Sequence, residues 1–339
     1  MREFEVINAC PPDMQENEFL AYRVGGLLYT PAIRKGIADK IEEKAFGDVS
    51  SLAFCLEDSI QNDSLSQAEE VLIETLKEIQ SREIVSLPLL FVRVRNPQHL
   101  ESVHEKLGAL ENLLTGYILP KFDMTCAEEY KKLFLGLNQN REKTLYFMPT
   151  LESIAVARTE SRIPELIRIK EVLDSVRPYV LNVRVGGNDF CNLFGVRRNV
   201  DQCIYDIGVV RSILVDILNV FARDYVVSAP VWEYFGTDEK DAWASGLERE
   251  LALDFLNGFI GKTVIHPSQI PVVNRSFKVK KADFEDACSV IHWNNDVFAV
   301  QSGAGKSRMN EVKCHGNWAK KIYILGTIYG IREEHESLV

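Results

Sequence analysis

The sequence predicts an α/β protein of the (β/α)8, or TIM-barrel, class, followed by a C-terminal helical extension. Eight short runs of aliphatic and β-branched residues end in turn or ionisable residues, the pattern of parallel strands that are buried on both faces. The ends of these runs recur about every 34 residues, close to the ~31 residues per unit of a typical eight-unit barrel. Eight units favour a closed barrel over an open doubly wound sheet.

The predicted strands follow one another along the central part of the chain, at 26–32, 51–58, 87–96, 116–123, 145–152, 179–189, 225–235 and 261–267. Between them, apolar residues at three- and four-residue intervals predict amphipathic helices, most clearly over 65–80 and 209–225. Ser66 and Glu69 fit a capping box, in which two side chains satisfy the free amide groups of a helix start. Strands and helices therefore alternate as a barrel requires.

The pattern changes after Pro271. Residues 278–293 and 317–331 have the spacing of helices, and the polar, glycine-containing stretch between them shows no strand character. We expect these helices to pack on the barrel or on a neighbouring subunit. The predicted organisation is an N-terminal segment, a catalytic barrel and a helical extension, over 1–20, 21–275 and 276–339.

Composition and charge exclude several classes of protein. Hydrophobic residues make up 46% and charged residues 26% of the 339 residues, which is ordinary globular usage and disfavours intrinsic disorder. Lysine and arginine total 39 against 49 acids, a formal net charge of -10, so the overall field repels phosphate backbones and anionic membranes. We therefore expect no nucleic-acid partner and no membrane partner.

The chain also lacks the patterns of secreted and membrane proteins. No apolar run approaches the ~18 to 20 residues that cross a bilayer, and the N-terminal residues lack a basic start followed by an apolar core. The seven cysteines include no CxxC pair, which argues against a disulfide framework and a thiolate zinc site. We expect a cytoplasmic protein.

Ionisable residues gather at the ends of the predicted strands, where the chemistry of a (β/α)8 enzyme lies. A purely structural barrel has no reason to bury so many charges, because each is costly unless it is paired. For any one residue, a salt bridge is the alternative to a catalytic role. The residues are Glu57 and Asp58 after strand two, Arg93 and Arg95 on strand three, Lys121, Glu152, Asn188, Asp189 and His266.

Glu152 and Asp189 are the best pair of metal ligands, because carboxylates from two strands with room for water suit Mg²⁺, with Mn²⁺ as an alternative. Gly187 and Asn188 belong to a glycine-rich turn that brings the backbone close to metal and substrate. Lys121 is expected to pair with the strand-end acids beside the substrate. An arginine next to such a metal indicates a carboxylate-bearing substrate. These groups fit a Lewis acid that stabilises the enolate of a 2-oxo acid as a carbon–carbon bond breaks or forms.

Seven motifs lie at the strand ends in chain order, and GKTVIHPSQI within the last is the most specific: LLYTPA, FCLEDSI, VRVRNP, ILPKFD, TLES, VGGNDF and GFIGKTVIHPSQIPVVN. In these motifs, from residue 20 to about 290, the chain resembles a divergent, stand-alone branch of the HpcH/HpaI aldolase and citrate lyase β-subunit-like superfamily. The resemblance implies a Mg²⁺-dependent TIM barrel, usually a homo-oligomer built on trimers. It also implies activity on 2-oxo or 3-hydroxy acids and their coenzyme A thioesters.

The resemblance also implies roles for individual positions. Glu152 and Asp189 match the metal-binding acids, and an arginine of strand three matches the residue that binds the substrate carboxylate. The pair Glu57 and Asp58 matches acids that lie close to the metal and its waters.

The chain departs from the family pattern at two places. Gly25 stands where the family has an arginine on strand one, and Arg23 lies two residues earlier. Strand three reads Arg93-Val94-Arg95-Asn96, where the family has arginine, one residue and asparagine. Both arginines share strand parity and are expected to face the mouth, so they compete for the substrate role.

We predict a Mg²⁺-dependent carbon–carbon lyase, or its condensing reverse. An acid from the pair Glu57 and Asp58 would move the proton, and Arg93 or Arg95 would clamp a carboxylate. One alternative is a hydrolase of β-hydroxyacyl thioesters on the same metal site. The other is a non-catalytic ligand-binding barrel, for which the missing strand-one arginine is the best support. His266 is expected to fix the turn before the next proline rather than to act as a base.

Overall fold

The computed structural model describes residues 10, 14–84, 86–294, 298–306 and 308–333. Eight strands form one sheet, and each predicted run contains one of them. They are β1 Gly26–Pro31, β2 Ser51–Cys55, β3 Leu89–Arg93, β4 Gly116–Leu119, β5 Tyr146–Leu151, β6 Val183–Val185, β7 Val227–Ser228 and β8 Lys262–Val264.

All eight strands are parallel, and the sheet follows chain order from β7 through β6, β5, β4, β3, β2 and β1 to β8. Leu27 of β1 lies beside Ser51 of β2 and Thr263 of β8. A parallel bridge between Ala229, just after β7, and Lys262 of β8 closes the ring. The predicted (β/α)8 barrel is therefore confirmed.

Apolar residues are buried on both sides of the strands, which is why the strand sequences are continuous apolar runs rather than alternating ones. Inside the barrel, Leu27, Ala53, Phe91, Ile118 and Met148 pack together. These five residues come from β1 to β5 in turn. A larger core lies between the outer faces of the strands and the surrounding helices.

The helices lie between and after the strands. They are α1 Glu16–Arg23, α2 Ile37–Glu42, α3 Leu65–Ser81, α4 Pro97–Leu107, α5 Ala127–Leu137, α6 Ile154–Ala157, α7 Thr159–Ser175, α8 Gly187–Leu193, α9 Gly208–Phe221, α10 Ala242–Asn257, α11 Gln269–Phe277, α12 Lys281–Ile291 and α13 Val312–Tyr329. Short 3₁₀ helices occupy Asn62–Ser64, Gly108–Leu113, Arg177–Tyr179 and Ile204–Asp206. Within the described ranges, no helix has the length and apolar character needed to cross a membrane.

The start of α3 differs from the capping-box prediction. The helix begins at Leu65, and its N-cap, Ser64, forms no side-chain capping hydrogen bond. Ser66 already lies inside the helix. The reason is that the preceding 3₁₀ helix runs directly into α3, so no separate cap is needed at Ser66.

The C-terminal part contains helices α12 and α13, which pack against each other. The prediction that the stretch between them has no strand character is wrong. Strands β10 Val300–Ser302 and β11 Met309–Glu311 form an antiparallel hairpin. Each of these strands has only three residues, too few for an alternation of apolar and polar residues to be recognised in the sequence. Asp286 of α12 anchors the hairpin, because its carboxylate accepts a hydrogen bond from the Ala304 amide at 2.6 Å.

Helix α13 packs at the end of the barrel where the strands begin. The Tyr329 hydroxyl donates to the carbonyl of Tyr22 at 2.9 Å, and β12 Ile331–Arg332 pairs with β9 Val279–Lys280. Gly25, just before β1, has a φ of 52° and lies against the Tyr329 hydroxyl, where a Cβ would overlap. The position at which the family has its strand-one arginine therefore lies at the end of the barrel opposite the mouth.

Candidate functional site

Because the strands are parallel, their carboxyl ends meet at one mouth of the barrel. The structure brings six of the predicted residues together there. They are Glu57 and Asp58 after β2, Arg93 at the end of β3, Lys121 after β4, Glu152 after β5 and Asp189 in the first turn of α8.

The Arg93 guanidinium lies at the centre of these acids. Its Nη2 atom is 2.6 Å from Glu57 Oε2, 3.0 Å from Asp58 Oδ2 and 3.4 Å from Glu152 Oε1. The Arg93 side chain is 13% exposed and that of Glu152 is 2% exposed. Three carboxylates therefore converge on one nitrogen in a site that is largely shielded from water.

Lys121 links the acids of β2 to the acid of β5. Its backbone amide donates to Glu152 Oε1 at 2.9 Å, and its Nζ donates to Glu57 Oε1 at 2.7 Å and to Asp58 Oδ1 at 3.3 Å. Its φ is 49°, in the left-handed region that non-glycine residues seldom adopt. Such conformations persist where the surrounding structure requires them, often at functional sites. Here the turn aims the amide at Glu152.

Glu152 and Asp189 lie against each other across the β6–α8 turn. Each carboxyl lies close enough to influence the pKa of the other. Gly186 makes this approach possible, because a Cβ at that position would overlap the Glu152 carboxylate. Gly187 is also closely packed, since a Cβ there would lie 2.6 Å from Ile204 Cδ1, whereas Asn188 is exposed on α8. The glycines thus bring the two acids together.

The site contains four carboxyls and two basic side chains, Arg93 and Lys121. Burial raises the pKa of Glu152 to about 8, and the Asp189 charge adds to this rise although Arg93 opposes it. Burial, followed by the Asp58 charge, also raises the pKa of Asp189. When all four acids are ionised, Arg93 and Lys121 leave two negative charges unbalanced. That deficit equals the charge of one divalent cation.

Glu57 and Asp58 differ although they are neighbours in sequence. Burial raises the pKa of Glu57. The pKa of Asp58 is lowered in spite of burial, because Glu57 hydrogen-bonds to it and the charges of Arg93 and Lys121 lie nearby. Neighbouring carboxyls whose pKa values move apart can serve as acid and base at the same pH.

The donor set fits a hard divalent cation better than zinc. The described part of the chain contains no cluster of three or more His, Cys, Asp or Glu side chains that could hold a metal. Mg²⁺ needs only one or two protein carboxylates and fills its octahedron with water and substrate oxygens. Glu152, which is buried, and Asp189, which is half-buried, supply two such carboxyls at the mouth.

Arg95 does not share the mouth with Arg93. Its guanidinium donates to the carbonyls of Leu56 and Ile60 at 2.8 and 2.7 Å and to Asn62 Oδ1 at 2.5 Å. It therefore braces the loop between β2 and α3. The two arginines separate because β3 ends at Arg93, so the alternation expected from strand parity does not extend to Arg95.

His266 also lies apart from the acids. Its Nδ1 is 2.8 Å from Ser268 Oγ, and its ring stacks on Phe235 with centroids 4.5 Å apart. Burial and the Arg34 charge lower its pKa. These contacts hold the turn that leads into α11.

Sequence reasoning missed the polar residues inside the barrel beneath the mouth. Tyr29 of β1 and Arg184 of β6 both face the interior, and the guanidinium carbons of Arg93 and Arg184 lie 5.8 and 6.0 Å from the Tyr29 ring centre. The available signal was an arginine in the middle of a run, VLNVRV, that otherwise reads as a buried strand.

Comparisons with known proteins agree with this architecture. The chain matches the family described as C-C bond lyase of the TIM-barrel fold over residues 18–331. No curated protein sequence matches the chain significantly.

Several solved structures share the fold. A citrate lyase from Burkholderia xenovorans is 15% identical and superposes with a TM-score of 0.62, covering 92% of this chain and 94% of its own. CitE from Mycobacterium tuberculosis, solved with magnesium, acetoacetate and coenzyme A, is 18% identical with a TM-score of 0.57, covering 89% and 98%. The malate synthase of Haloferax volcanii, as a magnesium/glyoxylate complex, is 12% identical with a TM-score of 0.55 and covers 74% of each chain.

Proposed function

The chain belongs to the carbon–carbon bond lyase family of the TIM-barrel fold, and from that premise we propose a Mg²⁺-dependent lyase. It cleaves, or in reverse forms, a carbon–carbon bond in a 2-oxo or 3-hydroxy acid or its coenzyme A thioester. The observation that carries the proposal is the pair Glu152, which is buried, and Asp189, which is half-buried, at a mouth that holds more acids than cations. Two proteins of the same fold were solved with magnesium, which supports it.

Glu152 and Asp189 would hold the cation. A bound Mg²⁺ supplies a Lewis acid that polarises the substrate carbonyl. Glu152 is oriented by the Lys121 amide at 2.9 Å and by Arg93. Both acids must be ionised to bind the metal, so binding releases a proton from Glu152, whose pKa is about 8.

Arg93 binds the substrate carboxylate in this proposal. Within the described residues, its buried Nε has no hydrogen-bond partner, although Nη2 is fully used by the acids. That Nε–H can donate one charge-assisted hydrogen bond to a substrate carboxylate. Arg95, tied to the β2–α3 loop, positions Glu57 and Asp58 instead.

Glu57 and Asp58 move the proton. In the cleavage direction, ionised Asp58 takes the proton of the 3-hydroxyl group, directly or through water. The carbon–oxygen bond becomes a carbonyl as the neighbouring carbon–carbon bond breaks, and the electron pair passes to the departing carbon. Glu57, whose pKa burial raises, is the acid that protonates that carbon. Lys121 contacts both acids and holds their relative positions.

The test is turnover of Glu152→Ala and Asp189→Ala with a panel of 3-hydroxy acids, their thioesters, and 2-oxo acids paired with acetyl-coenzyme A. We expect each variant to lose Mg²⁺-dependent turnover and to keep its circular dichroism spectrum. Glu128→Gln, a change at an exposed acid of α5, is the control. Separate detection of carbon–carbon cleavage products and of free thiol distinguishes a lyase from a thioesterase. Full activity in either alanine variant would refute the assignment.

We also propose that the protein is a homo-oligomer. Large apolar side chains are exposed on and next to α6, α7, α8 and α9, and exposed apolar patches commonly mark protein interfaces. They are Ile154, Ile163, Ile167, Leu193, Phe194, Val209 and Val215. Four of them, Ile154, Leu193, Phe194 and Val209, line one cleft. Light scattering after size-exclusion chromatography tests this, and a monomer at micromolar concentration would contradict it.

A further inference from the structure

A layer of polar side chains lies inside the barrel, one pleat below the strand-end acids. Thr150 of β5, Arg184 of β6 and Ser228 of β7 stand side by side in the strand register. Thr150 precedes Glu152 by two residues and so faces the same interior, about 7 Å deeper. The interior residues contributed by β1 to β5 are mostly apolar, so this polar layer is confined to one side.

Arg184 is a buried cation without an acidic partner among the described residues. It is 1% exposed, and its Nη2 donates to Thr263 Oγ1 at 2.6 Å. By comparison, the buried arginines Arg162 and Arg198 lie 2.8 and 3.3 Å from Asp216 and Glu250. A buried charge is costly unless an opposite charge compensates it. The lack of such a charge beside Arg184 among the described residues therefore points to an anion supplied from outside the chain.

The neighbours of Arg184 have unused hydrogen-bonding groups as well. Arg184 Nη1, Thr150 Oγ1 and Ser228 Oγ are all buried, and in the part of the chain that the structure describes none has a hydrogen-bond partner. All three can donate a hydrogen bond. A guanidinium flanked by two hydroxyls is a donor set that a carboxylate can satisfy completely.

Tyr29 separates this layer from the mouth. Its ring lies near both guanidiniums, with Arg93 Cζ at 5.8 Å and Arg184 Cζ at 6.0 Å. Tyr29 is partly exposed, whereas Arg184 is closed off. A ligand that extends from the strand-end acids toward Arg184 therefore has to turn the Tyr29 ring aside.

We propose that Arg184, Thr150 and Ser228 form a second anion subsite, which binds a carboxylate at the far end of the substrate. This rests on the proposed function, which puts the reacting end of the substrate at Glu152 and Asp189. The proposed substrates are therefore dicarboxylic acids whose two carboxylates lie about 7 Å apart, the length of two residues along a strand. The buried cation favours the second carboxylate over an apolar tail of the same length.

Calorimetry with two probes of equal carbon number tests the proposal. With Mg²⁺ present, 2-oxoglutarate carries the second carboxylate and 2-oxopentanoate lacks it. We expect the full-length protein to bind 2-oxoglutarate more tightly. Arg184→Met should weaken 2-oxoglutarate binding about 10- to 100-fold, the loss typical of a hydrogen-bonded charge, and change 2-oxopentanoate binding less than about threefold. Equal loss for both probes, or no preference in the unmodified protein, would overturn the subsite.

A matched pair of threonine variants decides the question if Arg184→Met does not fold. Thr150 and Thr30 both have a buried hydroxyl without a partner among the described residues. Thr30 faces the outer core, because it alternates with the inward Tyr29. Thr150→Val should reduce the preference for 2-oxoglutarate and Thr30→Val should not, and equal behaviour of the two would contradict the proposal.

The binding measurement does not depend on turnover. A protein that prefers 2-oxoglutarate through Arg184 but cleaves no substrate supports the subsite and overturns the proposed lyase reaction. A protein that cleaves its substrates without any preference for a second carboxylate supports the lyase reaction and overturns the subsite.

Discussion

Protons and a divalent cation should compete for Glu152. Burial raises the pKa of this carboxyl to about 8, so its protonated form predominates below that pH, whereas a metal requires the ionised form. Cation affinity should therefore rise with pH. With a pKa of about 8, roughly 1% of the carboxyl is ionised at pH 6 and half at pH 8. We expect Mg²⁺ or Mn²⁺ to bind about 50-fold more tightly at pH 8 than at pH 6.

Isothermal titration calorimetry at pH 6, 7 and 8, in buffers of different ionisation enthalpy, measures both the affinity and the protons released. About one proton should leave Glu152 for each cation bound at pH 7. Glu152→Gln should lose tight binding and this pH dependence, and the exposed control Glu128→Gln should keep both. Affinity that is independent of pH, with no proton release, would refute the reasoning.

Three further predictions concern the mouth and the barrel wall. Arg93→Lys removes the planar guanidinium and its Nε donor, so kcat/KM for acid substrates should fall about 10- to 100-fold in steady-state assays. Gly186→Ala puts a methyl group into the Glu152 carboxylate, so Tm should fall by an amount equivalent to about 1–3 kcal/mol and cation affinity should fall with it. Lys262→Met leaves Asp254 buried without its cation at 2.6 Å, and urea unfolding should show a loss of about 3–5 kcal/mol.

The strands and most of the mouth residues follow from local patterns. Each strand is a continuous apolar run because it is buried on both faces, and an ionisable residue ends the run because the carboxyl end of a parallel strand opens to the mouth. Once eight such runs are identified, the barrel alone brings Glu57, Lys121, Glu152 and Asp189 to one place. Their assembly therefore needed no knowledge of side-chain conformations.

Other features depend on details that a linear pattern does not contain. Arg95 follows the end of β3, and the carbonyls of Leu56 and Ile60 hold it in place of the mouth acids. Arg184 faces the interior because of the register of a three-residue strand beside Thr150 and Ser228. In both cases a neighbouring strand or loop decides where a long side chain goes.

Anomalous diffraction from crystals soaked with Mn²⁺ tests the central claim, the cation site, most directly. We predict one strong peak within coordinating distance of both Glu152 and Asp189, accompanied by a shift of Arg93 away from Glu152. The peak should vanish in Asp189→Ala crystals. A cation bound elsewhere, or none at millimolar Mn²⁺ and pH 8, would contradict the account.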